Sequence, residues 1–267
     1  MLRLPAVAGQ FYPGNKAELQ AMLGRMLAAQ TAPQPALLAI SPHAGYIFSG
    51  GTAGKVLSRV EITDRVLILG PNHRGLGRPA ALASQGQWRT PLGAVDLDQD
   101  LAEGIMKHCP WVKDDPSAHR QEHSLEVQVP FLQQLKPGVK ITPLTISMLG
   151  YEQCAQLGKA LAAAIGEAGQ PVLMVASTDM SHYESALSAA VKDERAIERI
   201  LALDPQGLYE TVTQESITMC GVLPTTVCLV AALALGATDA QLVEYTNSGA
   251  VTGDNQQVVG YAGLIVK

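Results

Sequence analysis

Leu38-Ala39-Ile40-Ser41-Pro42-His43-Ala44-Gly45 and Val66-Leu67-Ile68-Leu69-Gly70-Pro71-Asn72-His73-Arg74-Gly75 share one design. Each is a short apolar run that stops at a small residue and a proline, then presents a histidine near a glycine. A third run, Val172-Leu173-Met174-Val175, goes over into Ala176-Ser177-Thr178-Asp179-Met180-Ser181-His182 and again sets ionisable side chains just past an apolar segment. Short continuous apolar runs of this kind read as parallel strands buried on both faces. In open α/β sheets, ligands bind outside the carboxyl ends of such strands. The pattern therefore aims His43, His73, Asp179 and His182 at one crevice.

Working outward from these runs, Lys16 to Ala29 has helical apolar spacing (Leu19, Met22, Leu23, Met26, Leu27), and the stretch from Thr31 to Pro35 breaks it. Amphipathic segments follow at Asp98 to His108, Glu152 to Glu167, Lys192 to Leu203 and Pro224 to Leu235. Further strand candidates are Ile141 to Ile146, Pro171 to Ala176, Val243 to Thr246 and Val258 to Val266. Strands alternating with helices predict a single α/β domain over residues 1–267, with a central, mainly parallel or mixed sheet flanked by helices. The stretch Ala80 to Leu97, with Trp88, Pro91 and Gly93, reads as an excursion or hairpin outside that rhythm. No period suggests a solenoid.

Composition narrows the function classes. With 47% hydrophobic and 16% charged residues, the chain has ample apolar surface for one large core. The formal net charge of −5 comes without a basic block, which argues against a nucleic-acid partner. No apolar run is long enough to cross a bilayer and the N-terminus lacks a signal-peptide pattern, so a cytoplasmic protein without a membrane partner is expected. The four cysteines, Cys109, Cys154, Cys220 and Cys228, form no CxxC pair, as expected in a reducing compartment.

Several residues could carry chemistry. His43 and His73 read either as metal ligands or as polar residues satisfied at strand ends. Asp179 and His182, three apart, come within hydrogen-bonding reach if Ser181 begins a turn. A carboxylate there would fix the imidazole tautomer and raise its basicity, as a general acid/base needs; alternatively Ser177, Thr178 and Asp179 cap the next helix. Cys220 precedes Gly221 and Pro224, the loop entering a helix, where the macrodipole favours a thiolate. It is the best candidate for a reactive or ligating sulfur, whereas Cys228 reads as core.

His119-Arg120-Gln121-Glu122-His123 matches the H-x-x-E-H pattern of inverted zinc peptidases, with Glu194 and Glu198 downstream as third ligands. That pattern needs both histidines on one face of a continuous helix, yet His119 follows the turn-like Asp114-Asp115-Pro116-Ser117. We therefore expect a chance match, with His119 at solvent or in a loop and His123 lining the same cleft as His182. His123-Ser124-Leu125-Glu126 is expected to open a helix that runs to Leu135, kinked at Pro130.

Taken together, Pro42-His43-Ala44-Gly45-Tyr46, Gly70-Pro71-Asn72-His73, Glu122-His123-Ser124-Leu125-Glu126, Ser177-Thr178-Asp179-Met180-Ser181-His182 and Cys220-Gly221 carry a resemblance. Val7-Ala8-Gly9-Gln10-Phe11-Tyr12-Pro13, Thr90-Pro91-Leu92-Gly93, Tyr245-Thr246-Asn247-Ser248-Gly249 and Val259-Gly260-Tyr261-Ala262 extend it over essentially the whole chain. The ordered set resembles the Memo family, called in prokaryotes AmmeMemoRadiSam system protein B. The resemblance implies a fold similar to the catalytic subunit of class III extradiol dioxygenases, which hold Fe(II) with two histidines and a carboxylate. By position, His43 and His73 match the two histidine ligands and His182 the acid/base residue. Cys220 stands where the dioxygenase pattern has a glutamate.

The resemblance thus implies a metal bound by His43, His73 and Cys220 with His182 as the acid/base residue; on our reading of the residues, Asp179, which orients His182, and His123, which helps it, join His182 as the expected catalytic residues. The resemblance suggests iron(II) or copper(I); a thiolate, softer than a carboxylate, shifts preference toward copper(I), zinc or a differently tuned iron, and beside dioxygen it is an oxidation liability. Two functions remain open. One is a metal-dependent redox enzyme acting on an unidentified small molecule or peptide, alongside a radical-SAM protein and an Ammecr-like protein, as the resemblance implies. The other is a non-catalytic metal-binding or peptide-binding interaction protein on a dioxygenase-like fold.

Overall fold

The computed structural model describes residues 1–27 and 32–267. In chain order its elements are β1 (Leu2–Arg3), α1 (Lys16–Met26), β2 (Leu38–Ser41), α2 (Tyr46–Leu57), β3 (Arg65–Pro71), β4 (Ala80–Leu82), β5 (Gln87–Thr90), β6 (Gly93–Leu97) and α3 (Gln99–His108). There follow β7 (Lys113–Asp114), α4 (Val129–Leu135), β8 (Lys140–Ile146), α5 (Tyr151–Glu167), β9 (Val172–Ser177), β10 (His182–Glu184) and α6 (Ala186–Leu201). The chain ends with α7 (Pro205–Gln214), α8 (Val222–Ala234), β11 (Ala240–Asn247), α9 (Gly249–Thr252) and β12 (Val258–Val266).

One mixed sheet carries the order β1-β5-β6-β8-β3-β9-β2-β12-β10. Its centre, β8-β3-β9-β2, is entirely parallel, and β12 closes one side antiparallel to β2. Side chains alternate between two buried clusters, as a pleat of period two requires. Leu38, Ile40, Leu67, Leu69, Met174 and Ala176 enter the cluster built with α3, α5, α6, α7 and α8. Ala39, Val66, Ile68, Leu173 and Val175 enter the opposite one, with α1, α2 and α4. Both faces are therefore dry, and in β2, β3 and β9 polar side chains stand only at the strand ends.

The expected α/β class holds, with differences in detail. Helix α1 ends at Met26; Ala28, Ala29 and Thr31 of the anticipated helix and its breaker lie outside the described residues. Helix α6 begins six residues earlier than Lys192, because the Ser185 side chain caps it by accepting from Ser188 N. The helix expected from His123 to Leu135 is instead a 3-10 turn at Glu126–Gln128 followed by α4. Pro130 does not kink it, since it sits in the first turn, where a missing N–H costs nothing. Within the Ala80 to Leu97 stretch the expected hairpin forms, β5 and β6 pairing antiparallel with Gly93, at φ 136°, closing the turn in a conformation open to glycine; it does not stand apart from the sheet, because β6 joins it parallel to β8.

His119 corrects another expectation. It is 1% exposed rather than solvent-facing, its Nε2–H donates to the Ala81 carbonyl at 2.9 Å, and Trp88 meets its ring edge-on at 5.6 Å. It ends the 3-10 turn Pro116–His119, so it shares no continuous helix with His123 and the peptidase pattern fails. Burial above all, with the charge of Arg3 in support, lowers its pKa from 6.5 to about 4.

Two stability tests follow from this packing. An added Cβ at Gly158 would lie 2.6 Å from Val230 Cβ and 2.7 Å from the Val227 carbonyl, whereas Gly166 on the same helix has open space. In urea unfolding, Gly158→Ala should cost about 1–3 kcal/mol through overpacking of α5 on α8, and Gly166→Ala should gain about 0.5–1 kcal/mol. For His119, the folded pKa lies below the unfolded one, so the neutral ring stabilises the fold fully above pH 6.5, and this is lost as pH falls toward 4. Between about pH 8 and pH 5 the wild type should lose about 2 kcal/mol more stability than His119→Leu; parallel pH profiles for the two would show that the ring is not buried neutral.

Candidate metal centre

The parallel registers set the site. Ser41 pairs with Ser177 and Leu69 with Ala176, so β2, β9 and β3 finish side by side on one edge. The segment after β2 carries His43, that after β3 carries His73, and that after β9 carries Asp179 and His182. The loop before α8 adds Cys220, and the segment between the two 3-10 turns adds His123. His43, His73 and His123 each offer a nitrogen, all within 4.8 Å of one another. Their ring centroids are 4.6 to 5.5 Å apart, with His73 and His123 stacked at 21°.

Hydrogen bonds fix which nitrogen the His43 and His73 rings present. The Ser177 hydroxyl donates to the Ser124 carbonyl at 2.6 Å and accepts from Gln128 Nε2 at 2.9 Å. Its single hydrogen is thus committed, so His43 Nδ1, 3.0 Å away, must be the donor to Ser177 Oγ, and Nε2 keeps its lone pair. His73 Nδ1 meets Glu122 Oε1 at 2.9 Å, and the other Glu122 oxygen accepts from the His73 backbone N–H at 2.6 Å. A carboxylate behind a histidine in this way orients metal-ligating rings generally. Burial would raise the Glu122 pKa, but the hydrogen bond and charge of His73 and the backbone N–H of Ser124 outweigh it and hold the carboxyl at about 2.

His43 is 2% exposed. Burial, then the neighbouring His73 and His123, push its pKa well below the ordinary value; burial lowers that of His123 to about 4. Neutral rings are what a cation needs as ligands. The donor set therefore fits a metal ion: convergent neutral imidazoles, with the tautomers of His43 and His73 fixed from behind.

Cys220 approaches the same ring from another side, with Sγ 3.3 Å from His43 Nε2 and 3.3 Å from the Asp179 backbone N–H, which donates to it. The thiolate expected from the α8 dipole is not what the surroundings favour. Burial first, and the charge of Asp179 second, push this thiol up, so without a cation it stays protonated. Cys228 is core, as anticipated.

Asp179 does not orient His182. Its Oδ1 accepts from the His43 backbone N–H at 2.7 Å, tying the His43 loop to the end of β9, and burial raises its pKa to about 6. His182 instead meets the Thr218 carbonyl through Nδ1 at 2.9 Å, while its backbone N–H donates to Thr218 Oγ1 at 2.7 Å. A carbonyl only accepts, so Nδ1 carries the hydrogen and Nε2 is left as the basic atom. The orienting residue lies 36 positions away in the Cys220 loop, where no local sequence pattern points to it.

Ser177, Gln128 and Glu122 act as supports that the sequence reading does not single out, and His123, expected as a helper in proton transfer, stands with its ring beside those of His43 and His73. The motif Glu122-His123 was the available signal. The peptidase pattern overlapping it drew attention to His119 instead.

A family model described as Memo-like protein matches residues 3–265. A MEMO1 family protein of Methanopyrus kandleri is 41% identical over 281 residues, covering 100% of this chain and 99% of its own length. Similar proteins of Aquifex aeolicus (44% identical, 99% of this chain and 98% of the relative) and Methanothermobacter thermautotrophicus (40%, 99% and 100%) carry the same family name. With the match running from end to end and through every segment of the histidine site, the chain belongs to the Memo family.

Proposed function

We propose that the protein is a metal-dependent redox enzyme whose centre holds iron(II) or copper(I). The observation that carries this reading is the convergence of three imidazole nitrogens within 4.8 Å, beside a thiol 3.3 Å from one of them. His43 and His73 are the common donors, and Cys220 completes the set in our reading, with His123 on the opposite flank. Such a metal would supply one-electron chemistry and polarise a bound substrate oxygen.

The remaining roles belong to the chain itself. Glu122 and Ser177 hold the ligand rings in register from behind. His182, with its Nε2 lone pair exposed by the bond to Thr218, accepts or returns the substrate proton. Asp179 holds the His43 loop in place and adds negative charge beneath the site. His123, stacked on His73 and 4.8 Å from the Phe11 ring, walls the cleft. From the family resemblance, the reading includes work in company with a radical-SAM protein and an Ammecr-like protein.

Metal content after anaerobic purification and reloading tests the reading. His43→Ala should lose the metal, and Glu122→Gln should weaken binding about 10–100-fold, as removal of a second carboxylate layer does. Cys220→Ser should cost far more affinity than His123→Ala; the reverse would make the three histidines the donor set and Cys220 a bystander. His182→Ala should keep its metal. A loaded protein that shows no reversible voltammetric wave would sink the redox role while leaving metal binding intact.

A further inference from the structure

The wall of the metal centre formed by His123 and Phe11 continues into a cavity of about 730 Å³ that runs beneath the N-terminal segment as far as Trp88. Small-molecule sites commonly have this size. Its charge is lopsided: among the described residues Arg3, Arg74 and Arg120 line it and no aspartate or glutamate does, in a chain whose formal net charge is −5.

Arg3 is already committed. Its guanidinium donates to the His119 carbonyl at 2.7 Å, to Glu126 at 2.7 Å and to the Glu122 carbonyl at 2.8 Å, and it covers the Trp88 ring at 4.2 Å. Arg74 and Arg120 are not. Arg74 makes only a long bond from Nε to the Gln121 carbonyl, at 3.3 Å, and the Arg120 side chain has no hydrogen bond or ion pair among the described residues. Both are exposed at the cavity mouth, and Arg74 directly follows the ligand candidate His73. Two unspent guanidiniums on an acid-free wall form an anion receptor, since their forked donors match carboxylate and phosphate oxygens. Leu2, Leu4 and Phe11 give the same cavity an apolar lining.

We propose that this cavity is the substrate site of the centre and takes a small organic anion: an apolar body in the cavity and a carboxylate or phosphate head on Arg74 and Arg120. The inference rests on the reading of the histidine cluster as a metal site, and it names the class of molecule that would be brought there. His123 is the residue that the cavity shares with the histidine cluster, and the charge of Arg74 acts on its ring, so a head held by Arg74 anchors the molecule against the His123 wall.

Isothermal titration of metal-free and iron-loaded protein with 4-phenylbutyrate and with phenyl phosphate, using neutral 4-phenylbutyramide as control, tests it. The better anion should bind at least about tenfold more tightly than the amide, with an affinity that falls as salt rises. Arg74→Ala and Arg120→Ala should each cost about tenfold for that anion and leave the amide unchanged, while Arg25→Ala on α1 should change nothing. Which anion wins identifies the head group. His43→Ala should still bind the anion while losing metal, so a failed metal reading would leave this result untouched. Equal affinity for acid and amide, no binding of either anion up to millimolar concentration, or full affinity in the Arg74→Ala/Arg120→Ala double variant would overturn the proposal.

Discussion

The parallel register between β2, β9 and β3 is the constraint on which the site depends. Because Ser41 lies opposite Ser177 and Leu69 opposite Ala176, three strands end in step, and the chain leaving each must turn at the same edge. Both faces of these strands are covered by helices, so no polar group can be tolerated before that edge without a buried partner. The chemistry-bearing side chains collect there because the sheet leaves them nowhere else to go. A slip of one residue in β2 would turn Leu38 and Ile40 into the cluster that now takes Ala39, and it would also move His43 off the rings of His73 and His123.

Buried acids then convert that edge into a fixed geometry. Glu126 accepts from the Ala6 and Val7 N–H groups, Tyr12 and Arg3, which clamps the N-terminal segment over the site. Glu122 binds the His73 loop, Asp179 the His43 loop, and Asp193 holds Ser181 N–H at 2.9 Å and the Tyr245 hydroxyl at 2.8 Å, fixing the turn into His182. Each carboxylate is 4% exposed or less. A buried charge stripped of its donors is strongly destabilising, so alternative loop positions that would strip these acids of their backbone partners are excluded. Rigidity of the site therefore comes from acids tied to backbone N–H groups, a device that keeps the histidine faces free for other work.

How much of this was legible in the sequence depended on range. The strands, their burial and the convergence of His43, His73 and Asp179 follow from local runs, because apolar continuity and a proline stop are properties of a few consecutive residues. The partners that set tautomers do not. Thr218 and His182, or Ser177 and Ser124, meet only through the folded topology, and a serine or threonine in a loop carries no periodic signal. His119 shows the opposite failure: a turn-like sequence before it suggested exposure, but Trp88 and Arg3 from distant segments cover it. The thiol of Cys220 shows a third kind, in which a helix terminus is visible in sequence while the burial that outweighs it is not.

Charge is layered across the site. The carboxylates lie among the histidines: Glu122 accepts from the His73 ring and backbone, and Asp179 accepts from the His43 backbone N–H with its other oxygen 4.0 Å from His43 Nε2, while the uncommitted guanidiniums of Arg74 and Arg120 stand at the rim. A molecule arriving from solvent meets the cations first, over a low-dielectric wall that focuses their potential. The same acids, kept away from the cavity lining, hold the ligand rings without repelling an anion that approaches them. A site built with its carboxylates facing the cavity could bind a metal equally well, but it would turn away negatively charged substrates; here the acids are spent on scaffolding, so that attraction for anions and rigidity of the histidines come from separate groups of residues.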